Sequence, residues 1–267
     1  MITEQEAQEI LRNYRELGYD ELELFEIHNA MANGLTPDQI KIIANPQYDF
    51  SQMREIRLGF EHRLAEKEIE LFLNPKFNYA QMEEIRESLE DGFTISMVKI
   101  FAKPEFSWQQ MHEIKAALKR FDMEKVKFLA EPEYTYEEMY EIRKAFENKL
   151  SIDKIELFLN KGYDIEQIRQ IRKGLEENLD VSIYANPKYT AEQMKLIRFG
   201  LEANLDVSSY ANSDISEEEM ESIYNDLKEK SKSLDEILSE KQEELKKEQN
   251  NELRKTGPTT DDKLGDR

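Results

Sequence analysis

The chain contains no cysteine, which excludes disulfides, thiolate catalysis and cysteine-built metal sites and fits a reducing compartment. Glycine and proline are scarce, with 9 and 7 among 267 residues. Since 13 Phe and 12 Tyr supply core mass, this balance points to a helix-rich fold rather than a disordered chain. Long apolar runs are missing too: none approaches the roughly 20 residues that a membrane-spanning helix needs. The opening residues Met1 to Glu6 carry neither a basic region nor an apolar stretch, so no signal peptide and a cytoplasmic setting are expected. Basic residues are outnumbered, 37 Lys and Arg against 57 Asp and Glu, for a net charge of −20. Nucleic-acid binding draws on neutralising phosphates with Lys and Arg. The deficit argues against direct DNA or RNA binding and favours a basic partner, unless the acidity serves only solubility.

What the sequence does have is a repeat. Ile27, Ile56, Ile85, Ile114, Ile142, Ile171, Ile197 and Ile223 occupy equivalent settings, spaced by 29, 29, 29, 28, 29, 26 and 26 residues. Phrases such as Met53-Arg54-Glu55-Ile56-Arg57 and Met82-Glu83-Glu84-Ile85-Arg86 surround them. A period of this length marks supersecondary units that bury their apolar stripe only by stacking. The expected fold is therefore all-α: an α-solenoid of about eight stacked helical hairpins over residues 1–228, a charged helix over 229–255 and a disordered tail over 256–267.

Each repeat reads as a short helix, a tight loop and a longer helix. The longer helix opens on a capping box, an oxygen-bearing cap with an acid or amide three residues on. The pairs are Asp20/Glu23, Asp49/Gln52, Asn78/Gln81, Ser107/Gln110, Thr135/Glu138, Asp164/Gln167, Thr190/Gln193 and Ser216/Glu219. The residue before each cap is apolar, as a hydrophobic staple requires. Pro46, Pro75, Pro104, Pro132 and Pro187 end the short helices, because the residue before proline disfavours the α region. Apolar pairs three apart precede that stop: Ile40/Ile43, Ile69/Phe72, Val98/Phe101, Val126/Leu129 and Ile155/Phe158. Where the spacing drops to 26, the short helices at Val181–Ala185 and Val207–Ala211 should shrink to about one turn. Three residues after each of the first seven anchors stands a small residue, Ala30, Gly59, Ser88, Ala117, Ala145, Gly174 or Gly200, which predicts close approach of a neighbouring helix. The eighth has Asp226 instead, as a terminal cap with a polar outer face would. From Glu217 to about Lys255 one long charged helix is expected; its sparse leucines suit a helix partly docked on the last repeat better than a coiled coil.

No catalytic, cofactor or metal site is expected. His28, His62 and His112 fall at different positions of three repeats, and the phrase His112-Glu113 lacks the second histidine of a zinc-protease motif. The nine glycines form no phosphate-binding pattern. Two recurring features remain as partner-binding candidates. The first-turn position after the cap carries Phe50, Tyr79, Trp108 and Tyr136, then Ile165 and Ala191. These rings either cover the preceding repeat's loop or form an exposed hot-spot strip. The second feature is a basic ladder one residue after the anchor, Arg57, Arg86, Lys115, Arg143, Arg172 and Arg198. Five of its members have a glutamate four residues on, so intrahelical pairing is the alternative role. In the fourth repeat Lys115 meets Lys119 instead, which predicts local positive charge.

The phrases Asn186-Pro187-Lys188-Tyr189 and Gln193-Met194-Lys195-Leu196-Ile197-Arg198-Phe199-Gly200-Leu201-Glu202 resemble a short repeat of bacterial proteins, some carried on mobile elements. That resemblance covers the repeat region, implies a bacterial cytoplasmic setting and transfers no active site. In shape the chain is also similar to tetratricopeptide-like families, although its repeats fall short of their 34 residues. The function expected is a non-enzymatic scaffold or adaptor module that binds a protein or peptide. The alternative is an acidic decoy for a nucleic-acid-binding protein, such as a mobile-element counter-defence factor.

Overall fold

The computed structural model describes residues 3–159 and 161–255; the tail read as disordered lies outside them. The protein is all-α, with fourteen α-helices, two 3-10 turns and no strand among the described residues. It forms two compact units that divide between Ile155 and Glu156.

In the N-terminal unit, α1 (Glu4–Glu16) pairs with the first long helix, α2 (Glu21–Ala32). The short helices are α3 (Pro37–Ile43), α5 (Glu66–Ile69), α7 (Ile95–Phe101), α9 (Met123–Leu129) and α11 (Ile152–Ile155). The later long helices are α4 (Phe50–Glu61), α6 (Tyr79–Glu90), α8 (Trp108–Leu118) and α10 (Tyr136–Glu147). Asp20, Asp49, Asn78, Ser107 and Thr135 each cap a long helix with a complete capping box. Long helices pack on one another in the order α2, α4, α6, α8, α10. Most short helices pack against the long helices before and after them, so two layers result.

Four of these five long helices end alike. Leu35 N–H reaches back to Ala30 O and Gly34 N–H to Met31 O, and Leu64, Phe93 and Leu150 repeat the pattern. This crossed pair of bonds satisfies the last carbonyls of the helix and requires a left-handed residue beyond its end. Gly34 and Gly92 supply it, but so do Arg63 (φ 64°) and Lys149 (φ 65°). After α8 the pattern is missing: both Arg120 and Phe121 bond back to Ala117 O. One residue fewer at this helix end accounts for the single 28-residue spacing.

The anchors Ile27, Ile56, Ile85, Ile114 and Ile142 are fully buried, each contributing about 1.5–3 kcal/mol by removal from water. The apolar pairs of the short helices lie beneath them, Ile43, Phe72, Val98, Phe101, Val126 and Leu129 all at zero exposure. The loop turns between layers are closed by asparagine: Asn45 and Asn74 accept side-chain bonds from the N–H two residues on, at 3.1 Å each.

The C-terminal unit contains α12 (Ile165–Glu176), α13 (Ala191–Glu202) and α14 (Glu217–Lys255), packed in that order. Between them the short helices have shrunk to 3-10 turns, Val181–Ile183 and Val207–Ser209. The small residues have a use here that differs from a helix–helix approach. A Cβ on Gly174 would collide with the Tyr184 phenol oxygen, and one on Gly200 with that of Tyr210. Tyr184 and Tyr210 are completely buried and donate to Gln170 O and Leu196 O, at 3.3 Å each. In these two repeats a ring, not a helix, fills the space that the missing side chain leaves. Ile171 and Ile197 are fully buried, Ile223 only half so. Further along α14, Leu234, Ile237, Leu238 and Leu245 are exposed.

Candidate interaction surface

Both candidate sets sit on the long helices, and their surroundings differ. The basic ladder faces inward. Arg57 Nε donates to Glu26 of the preceding long helix at 2.8 Å, Arg86 to Glu55 at 2.8 Å and Arg143 to Glu113 at 2.6 Å. The same guanidiniums also bond Glu61, Glu90 and Glu147 four residues on, at 2.7, 2.8 and 2.8 Å. Each arginine is thus a bidentate bridge between its own helix and its neighbour. Burial alone would lower the pKa of Arg57, Arg86 and Arg143, but the hydrogen bonds and charges of their glutamates outweigh it and hold them above their ordinary value. Glu55 is raised, because burial outweighs the help from Arg86. In the C-terminal unit Arg172 and Arg198 are equally buried. Arg198 bonds Gln170 at 3.1 Å and also Glu202, and Arg172 bonds Glu176 at 2.5 Å.

The acids that complete this ladder, Glu26, Glu55, Glu84 and Glu113, were legible as a row one residue before each anchor. Their period matched, but the pairing of residues about thirty apart follows only once the helices are stacked. A second device missed by sequence lies in the capping boxes. Gln52 Nε2 donates to Pro75 O at 3.2 Å and also to Phe77 O, in the loop of the next repeat. Gln81, Gln110, Gln167 and Gln193 do the same to their following loops. The amide therefore caps one helix with its oxygen and ties down the next loop with its nitrogen. Glu23 and Glu138 keep the cap but have no nitrogen to give.

The aromatic row faces outward. Phe50, Tyr79, Trp108 and Tyr136 are 39, 55, 44 and 43% exposed, so each ring keeps a large part of its surface open to solvent. They recur at the first turn of α4, α6, α8 and α10, which pack side by side in one layer. Each sits on a helix end fixed by a capping box, so its backbone is rigid. At the same position of the C-terminal unit, Ile165 and Ala191 are half-buried.

No family model, curated protein or solved structure matches the chain.

The fourth repeat departs from the others where Lys115 replaces arginine. Its ammonium lies 3.5 Å from Glu84 and 3.4 Å from Asp91, and Lys119 reaches the same Asp91 at 3.5 Å. The positive charge expected from Lys115 and Lys119 is therefore met by Asp91, whose pKa is lowered: its slight desolvation is outweighed by the two lysines. A point charge cannot bridge two acids as a guanidinium fork does. Glu84 Oε1 is accordingly buried without a hydrogen bond, with His112 Nδ1 3.4 Å away. His62 pairs with Glu90 at 2.7 Å, and His28 is half-buried. Among the described residues no group of three or more His, Asp and Glu side chains is placed to hold a metal ion. An open groove between α1 and α3 is lined by Ile10, Leu17, Pro37 and Ile40, with Asn13, Tyr14 and Lys41 as the residues that carry polar groups.

Proposed function

We propose that this protein is a non-enzymatic interaction module that binds a protein or peptide through Phe50, Tyr79, Trp108 and Tyr136. The observation that carries this reading is the exposure of four large rings at one repeated position of one helical layer. The fully buried core is made by the anchors and apolar pairs instead. Tyrosine and tryptophan dominate binding hot spots because they bury large area with few rotors. The basic ladder takes no part, since its members lie between helices. The acidic-decoy alternative draws less support: the most regular acidic row, Glu26, Glu55, Glu84 and Glu113, is buried and cannot imitate a nucleic-acid surface.

The test is affinity capture from the native host's lysate, a bacterial cytoplasm on the resemblance given above. Wild type is compared with a Tyr79→Ala/Trp108→Ala variant shown to be folded by circular dichroism. A protein retained by wild type and lost by the variant supports the reading; equal retention by both, or retention by neither, overturns it.

A further inference from the structure

We propose that the aromatic row receives a basic segment in the polyproline II conformation, laid across α4, α6, α8 and α10 with one contact to each. This rests on the row being a binding surface and names its occupant. Packed helices stand about 8–10 Å apart, and each of the four presents its ring at the same first-turn position. Polyproline II has three residues per turn and a rise of about 3.1 Å, so one side of it returns every ~9.3 Å. A β-strand returns the same face every ~6.6 Å, and an α-helix needs seven residues and ~10.5 Å. Of the three, the first period lies within the general spacing of packed helices. Such a segment is also largely ordered before it binds, and aromatic-lined surfaces are its usual receptors.

Charge selects the rest. Exposed acids accompany the row from Tyr79 onward: Glu83 and Glu87 on α6, Glu105 in the loop before Trp108, and Glu131 and Glu133 in the loop before Tyr136. Exposed Arg54 and Lys76 belong to the Phe50–Tyr79 end, and Lys103 is turned over the Phe106 ring at 5.7 Å. A second observation points the same way. Buried Glu84 is only partly matched by Lys115, and the His112 beside it lies four residues from Trp108 on the same helix face. A guanidinium laid on the Trp108 ring would meet the ring's negative face, with exposed Glu105 in the loop before it.

Trp108 is the only tryptophan of the chain, so its fluorescence reports directly on the row. The full-length protein is titrated with a Pro-Pro-Arg repeat peptide. Comparators are flexible Gly-Ser-Arg and helical Ala-Ala-Arg peptides of equal length and charge, and an acidic Pro-Pro-Glu peptide. The expected result is a saturable emission change with Pro-Pro-Arg at an affinity at least about tenfold above each comparator. Tyr79→Ala and Tyr136→Ala, both at exposed positions, should each weaken it about tenfold. Equal affinity for either basic comparator overturns the conformation assigned, and equal affinity for Pro-Pro-Glu overturns the charge. No binding by any peptide overturns the proposal. If capture still yields a partner dependent on Tyr79 and Trp108, the surface stands and only this occupant falls.

Discussion

Gly200 and Tyr210 illustrate how single residues fit this fold. The phenol oxygen occupies the place a Cβ would take, and burial pushes the Tyr210 pKa up to about 12. Gly200→Ala should therefore cost about 1–3 kcal/mol by overpacking. Tyr210→Phe in the same chain should recover part of that loss, because it removes the colliding atom. Chemical denaturation of the two single variants and the double variant measures this, and strictly additive losses would contradict the size match. Gly59 obeys the same logic, with a Cβ placed 2.9 Å from Phe72 Cζ. Lys149 is the converse case, a side chain held in the left-handed region where glycine belongs. Lys149→Gly is expected to raise stability by about 1 kcal/mol, read as a higher denaturation midpoint at unchanged m-value. That the small residues mark a close contact was legible in the sequence. Which group fills the space was not, because a buried tyrosine in a one-turn loop looks like a neighbouring helix until the loop is folded.

At the scale of the element, a buried ion pair and a glutamine together join α4 to α6 and α8 to α10. Arg86→Leu alone leaves Glu55 buried without its partner and should cost about 3–5 kcal/mol. Glu55→Leu/Arg86→Leu should return much of it, since two apolar groups need no compensation. A double variant less stable than either single one would contradict that account. The acids give the stack a pH dependence. Burial raises Glu90, but bonds from Arg86 and His62 outweigh it and bring its pKa below the ordinary 4.5. Glu147 is lowered in the same way by Lys144 and Arg143. The unfolded chain thus takes up these protons first. The stability they contribute is fully present above the unfolded value and is lost as pH falls through the lowered folded values. Glu55, raised by burial, works in the opposite direction and offsets part of that loss. Glu90→Gln/Glu147→Gln should accordingly flatten the fall of stability below about pH 4.5, followed by thermal melts across that range; an unchanged slope would exclude these pairs as its source. The helices themselves were legible, because cap, box and anchor recur at fixed offsets. Their ends were less so. Arg63 and Lys149 adopt the left-handed conformation at places where glycine or asparagine would have announced it.

For the whole molecule, the two compact units share one repeat but not one surface. The N-terminal unit carries the exposed rings, and the C-terminal unit replaces them with half-buried Ile165 and Ala191. The binding proposed above therefore belongs to the N-terminal unit, on its layer of long helices. Position along the sequence could place the rings in register but could not tell whether the preceding loop covers them. That depends on tertiary packing, and here the loop aromatics Tyr48, Phe77 and Phe106 turn inward and leave the first-turn rings exposed. The most direct test is site-specific photocrosslinking in the native host. A benzoyl-phenylalanine is placed at Glu83, exposed on α6 four residues beyond Tyr79, and separately at Lys99, exposed on the short helix α7. The account predicts a discrete protein adduct from position 83 and none from position 99. Adducts from position 99 alone, or equally from both, would contradict it.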